Sequence, residues 1–197
     1  MNREKILAII NKNIENKNIV KHMLAMEAFM KAIAKKLKIN PPAGGLKLRI
    51  DEDEWGIAGL VHDLDYTDNT PAEKHGLLVK DILENEGVVL SKPILHAVAA
   101  HNWHNNGVEP KSLMDWALFC GDSLTGLIVA CALVLPNKKL ADLEVKSILK
   151  KFPQKRFAAG TRREDIKMCE EKLNIPLEEF VDICLRSMQA ISDQLGL

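Results

Sequence analysis

Apolar residues recur along most of this chain at the three- and four-residue spacing of an amphipathic helix, and no stretch sustains the alternation of a convincing strand. Ile6, Leu7, Ile10 and Ile14 share one side of a short helix predicted over residues 3–14. A second helix, residues 18–38, carries the stripe Ile19, Met23, Met26, Phe29, Met30, Ile33 and Leu37. The breaker Asn40-Pro41-Pro42-Ala43-Gly44-Gly45 follows, then a short extended piece over Leu46 to Ile50. Carboxylates from Asp51 to Glu54 cap a third helix that reaches about His62. Pro71 opens a fourth helix with His75 early in it and Gly87 at its end, and Ser91 and Pro93 open a fifth that ends at His101. Ser112 caps a sixth, stopped by Pro136, with the small residues Gly121 and Gly126 allowing close approach. Three more follow over residues 143–152, 161–173 with a Thr161/Glu164 capping box, and 176–195. The fold predicted is all-α.

Several polar side chains interrupt this pattern on the apolar side. His22 falls on the stripe of the second helix, three residues after Ile19 and four before Met26. His62-Asp63 ends the apolar run Trp55 to Val61, and Asp122 stands in mid-helix among Phe119, Leu124, Leu127 and Ile128. A carboxylate there has no capping role and is costly to bury without a cation. With His75 and His101, these six residues form an imidazole and oxygen ligand set suited to Fe, Mn, Co, Ni or Zn, one ion or two, with Asp63 placed to bridge.

Composition narrows the function classes. The 197 residues fit one domain and are 47% hydrophobic, enough for a core. Lys and Arg total 27 and Asp and Glu 27, so no net field draws nucleic acid or a membrane. The opening residues Met1 to Lys5 do not form a secretory leader, and the apolar run Leu124 to Leu135 is short for a bilayer. Cys120, Cys131, Cys169 and Cys184 lack metal-type spacing and read as reduced core thiols of a cytoplasmic protein.

The order His22, His62-Asp63, Asp122 resembles the HD-domain superfamily of metal-dependent phosphohydrolases over roughly residues 18–135. His75 and His101 match the two further histidines of its dinuclear members, and the tail around Lys155-Arg156-Phe157-Ala158-Ala159-Gly160 resembles that of a predicted-hydrolase branch. The resemblance implies an HD-type metal-binding helical domain over 1–135, with 136–197 as a C-terminal helical extension packed on it. It implies hydrolysis of a phosphoester or phosphoanhydride by metal-activated water, on a small phosphorylated substrate such as a nucleotide. Oligomeric state is left open.

Many members read His-Asp-x-Gly-Lys, the Lys reaching phosphate; here Asp65 and Tyr66 stand at the last two positions, so that cation comes from elsewhere or the substrate differs. Asp63, Asp65 (orienting water or relaying a proton) and His104 (protonating a leaving oxygen) are the catalytic candidates. Tyr66, Lys74, Trp103 and Arg156 are candidates for holding substrate, with Lys21, Lys111 and Arg162 as further phosphate partners. Two other readings use the same residues: a di-iron oxygenase on a related fold, and a non-catalytic, metal-stabilised binding or regulatory domain.

Overall fold

The computed structural model describes residues 2–39 and 50–197, so the expected breaker at 40–45 and most of the extended piece lie outside the described residues. Among those described there is no strand. The helices are α1 (Arg3–Asn13), α2 (Lys17–Ile39), α3 (Glu52–Val61), α4 (Val79–Asn85), α5 (Lys92–Ala100), α6 (Trp103–Asn106), α7 (Leu113–Leu133), α8 (Val145–Lys151), α9 (Arg163–Lys172), α10 (Leu177–Gln189) and α11 (Ser192–Leu195).

The period of the apolar residues decides which faces meet. Met23, Met26, Phe29, Met30, Ile33 and Leu37 of α2 are all buried, and α2 packs along α3, α7 and α10. Asp51 caps α3 by accepting from the Asp53 and Glu54 amides at 2.9 and 3.3 Å. Where α3 crosses α2 the backbones nearly touch: a Cβ on Gly59 would lie 2.5 Å from the Met26 carbonyl oxygen. That approach brings the end of α3, and so His62-Asp63, alongside His22.

Helix α7 is the axis of the bundle. Its capping box is made by Ser112 Oγ, which accepts from the Asp115 amide at 3.2 Å, and Asp115, which accepts from the Ser112 amide at 2.9 Å. The helix is longer than the apolar run expected. By length and composition it could cross a membrane, yet 67% of its apolar window is buried inside the protein, as befits a central helix. Of its two interior glycines, Gly121 does allow close approach, since a Cβ there would strike the Phe29 ring at 2.2 Å. Gly126 does not; the space around it is open.

Four local expectations change. His75 is not inside the fourth helix. It follows a single 3-10 turn (Ala72–Lys74), has extended backbone (φ −62°, ψ 132°), and precedes Gly76 at φ +85°, a conformation favouring glycine. The stretch expected as a loop after His101 holds one helical turn, α6, closed by Gly107 at φ +76°. The Thr161/Glu164 capping box does not form; Arg162 occupies the N-cap of α9 without a side-chain bond. The last helix breaks after Gln189, and α11 turns back onto α2, burying Leu195.

In place of that capping box, the Arg163 guanidinium donates to five carbonyls of the preceding segment: Phe152, Gln154 (3.1 Å), Phe157 (2.5 Å), Ala158 (3.5 Å) and Thr161 (3.2 Å). The planar five-donor fork suits such a role. It holds residues 152–161 in an irregular arc, with Ala158 at φ +44°. Helix α9 packs on α7 and α10 on α2, so the C-terminal helices lie against those that carry His22 and Asp122.

Candidate metal centre

Each of the four histidines is held by its Nδ1 from a different part of the fold. His62 ends α3, and its Nδ1 donates to the Gly59 carbonyl at 2.8 Å. His101 ends α5 and donates in the same way to the Val98 carbonyl. Both use carbonyls that a helix end leaves without an amide partner. On α2, His22 Nδ1 donates to Thr125 Oγ1 at 3.0 Å, while the Thr125 hydroxyl donates to the Asp122 carbonyl at 2.9 Å. His75 Nδ1 donates to Asp65 Oδ1 at 2.8 Å. With every Nδ1 acting as the donor, every Nε2 is free to offer a lone pair to a cation or, in the metal-free protein, to take a proton.

Those four lone pairs converge. His22 and His62 bring Nε2 to Nε2 at 3.0 Å, and His75 and His101 at 2.9 Å. Facing lone pairs repel unless a cation or a proton lies between them. The carboxylates complete two groups. Asp63 Oδ2 lies 3.5 and 3.4 Å from the Nε2 atoms of His22 and His62, and Asp122 Oδ1 lies 3.0 and 3.8 Å from the same atoms. Asp63 Oδ1 lies 3.2 and 3.6 Å from those of His75 and His101. Ligands about 2.1 Å from one ion and at right angles stand about 3 Å apart, so these separations fit a coordination shell. The donor set fits a divalent cation, and Asp63 offers one oxygen to each group.

Electrostatics follow the same plan. Burial alone would raise the Asp63 carboxyl, but the charge on His62, bonds to His101 and His75, and the charge on His22 hold it well below the usual carboxylate range. For Asp122 burial is likewise outweighed, by His22 and His62, and its carboxyl is also held far below that range. Burial would lower His75, but bonds to Asp63 and Asp65 and their charges push it up to about 9.

That last shift predicts a pH effect on the metal-free protein. The folded value, about 9, exceeds the ordinary 6.5. The stabilisation is therefore complete below about pH 6.5 and is lost as pH rises through 9. It amounts to on the order of 3 kcal/mol, or up to about 10 °C in Tm. Thermal unfolding of chelator-treated protein between pH 6 and 10 is expected to show this decline, and His75→Asn to flatten it. An unchanged slope in that variant would mean that another group carries the effect.

Above the centre lies an open cavity of about 570 Å³. His22, Asp63, His75 and Asp122 reach into it, with Asn18, Tyr66, Ser123 and the segment Ala158 to Thr161 around them. Tyr66 also packs its ring 5.0 Å from that of His75.

Other expected site residues are placed differently. Asp65 is buried and fully engaged: it accepts from His75 Nδ1, from the Gly76 amide at 3.0 and 2.9 Å and from the Leu78 amide at 3.0 Å. It holds His75, with no oxygen left over for a proton relay. His104 turns its Nε2 to the Asp165 carboxylate at 3.0 Å, joining α6 to α9 and facing away from the cavity lining. Trp103 packs among Trp116 and Phe119, with ring centroids 6.1 and 5.8 Å away, and does not line the cavity. Lys74 and Arg156 are exposed, and neither lines the cavity. Thr125, Asn18, Ser123 and the 158–161 segment were not foreseen. Only Thr125 left a signal, a hydroxyl three residues beyond Asp122 on one helix face.

Comparison with known proteins bears on the same residues. The family model described as HD domain matches residues 19–125, more than half of the chain and all six residues of the centre. No curated protein and no solved structure matches the chain.

Proposed function

The chain belongs to the HD-domain family, a metal-dependent hydrolase-type superfamily, and from that premise we propose that it is a phosphohydrolase of a small phosphorylated molecule, a nucleotide or a related compound. The observation that carries the reading is Asp63, whose two oxygens face two separate groups of imidazole lone pairs. His22, His62, Asp122 and Asp63 Oδ2 would hold one ion, and His75, His101 and Asp63 Oδ1 a second. Bound divalent ions supply Lewis acidity, lowering the pKa of water toward ~7 and neutralising phosphoryl oxygens. Iron, manganese, cobalt, nickel and zinc all suit these donors.

The chain's own residues orient and bind. Asp65 fixes the His75 ring and Thr125 the His22 ring, so the lone pairs keep their aim without reorganising. The Tyr66 hydroxyl, Ser123 and Asn18 offer hydrogen bonds at the cavity wall. No Lys or Arg is among the described residues lining that cavity, so charge on a phosphoryl group falls to the cations. The proposal includes a cytoplasmic setting. All four cysteines are unbridged and buried, and burial pushes the Cys169 thiol up to about 12, as suits unreactive core residues.

The test pairs metal analysis of the purified protein with phosphate release from a panel of nucleotides and simple esters in Mn²⁺. Two ions per chain and chelator-sensitive release are expected. Full metal occupancy with no release from any ester would overturn the reading. Oxygen uptake by the iron-loaded protein in its place would assign the oxygenase chemistry.

A further inference from the structure

Gly126 has no packing reason to be glycine. It lies inside α7, its backbone is ordinary helix, it is exposed, and among the described residues a Cβ there would meet nothing within 4 Å. Glycine is among the poorest helix formers, so such a position weakens α7 with no return within the fold. What distinguishes Gly126 is its place, on the wall shared by the cavity above the metal centre and a second cavity of about 550 Å³. Asn18 and His22 line both cavities as well, so the two adjoin at His22 and Gly126.

The second cavity has a different chemistry. Ala25, Val129, Leu133, Leu195 and Leu197 give it aliphatic walls, and among the described residues lining it there is no Phe, Tyr or Trp to stack on a base and no Asp or Glu side chain to read one. Leu133 is a large apolar side chain left 49% exposed there. Lys21 also lines it, beside Gly196, and among the described residues the Lys21 ammonium makes no ion pair or side-chain hydrogen bond. A half-buried lysine on an aliphatic wall suits an anionic group at the end of an apolar body.

We propose that this slot receives the non-reacting part of the substrate, which passes over Gly126 from the metal centre. The substrate class is a phosphate ester of an alcohol with an aliphatic body and an anionic end held by Lys21. The proposal rests on the phosphohydrolase reading, whose substrate it narrows from nucleotides toward such esters.

Non-hydrolysable alkylphosphonates separate the two ideas. The metal-loaded protein is titrated by calorimetry with ethylphosphonate, hexylphosphonate and 6-carboxyhexylphosphonate, and phosphate release from ethyl phosphate is followed alongside. A buried methylene is worth about fourfold in affinity, so hexylphosphonate is expected to bind at least ~10-fold more tightly than ethylphosphonate, with a further gain from the carboxylate. In Gly126→Val, valine forms helix no worse than glycine; the length preference is expected to disappear while helical content by circular dichroism holds. Lys21→Met is expected to remove the carboxylate's advantage and keep the length preference. Equal binding of the ethyl and hexyl compounds by the natural protein, or an unaltered preference in Gly126→Val, would overturn the slot. A length preference without phosphate release from any ester would keep the slot and remove the phosphohydrolase.

Discussion

Asp63→Ala is expected to strip both metal ions from the protein and to abolish hydrolysis. The two groups of nitrogen ligands share no other residue, and Asp63 faces one through Oδ2 and the other through Oδ1. Losing even a group that merely orients a ligand costs ~10–100-fold in metal affinity. Losing the common ligand of two neighbouring cations costs more, because the bridging charge that offsets their mutual repulsion goes with it. Folding should survive, since the Asp63 carboxylate faces the imidazoles of the centre rather than the apolar core. Metal analysis after gel filtration reads the result directly. Retention of either ion at full occupancy would show that the two groups are independent and that Asp63 is not their link.

Asp65 predicts a different pattern: loss at one group only, with a marked loss of stability. Its carboxylate accepts from His75 Nδ1 and from the amides of Gly76 and Leu78. An asparagine offers one acceptor oxygen where these donors meet two, and turns its own N–H toward one of them. A buried donor left unpaired costs ~1–3 kcal/mol, so Asp65→Asn is expected to destabilise by a few kcal/mol. His75, freed from its orienting partner, should release the ion shared with His101, while His22, His62 and Asp122 keep theirs. Metal content near one ion per chain, with a lowered denaturation midpoint, is the expected signature. Two retained ions would mean that packing alone aims His75.

These contrasts show which parts of the molecule could be read from the chain. The helices were legible because apolar residues at helical spacing report a buried face wherever they occur, as on α2 and α10. His22, His62, Asp63, His101 and Asp122 were legible for the converse reason: each is a polar group on or at the end of an apolar helix, a placement that water-exposed polar residues avoid. His75 was misplaced inside a helix because the device that keeps its backbone extended is tertiary. Asp65 binds the two amides that a helix would have used, from ten and more residues away. Trp103 and His104 looked available because their partners, Trp116, Phe119 and Asp165, lie on helices distant in sequence. In sequence Gly126 is indistinguishable from the packing glycine Gly121, and only the three-dimensional arrangement shows open space beside one and an aromatic ring against the other.

Arg163 reaches no ligand, yet the entrance to the cavity depends on it. The main chain from Ala158 to Thr161 borders that entrance, and one guanidinium at the start of α9 tethers it from behind. Whatever shifts α9 against α7 therefore moves the doorway as well. The last third of the polypeptide thus acts as a strut for one rim of that cavity, and shaving it away would leave His22, Asp63 and Asp122 facing an unframed opening.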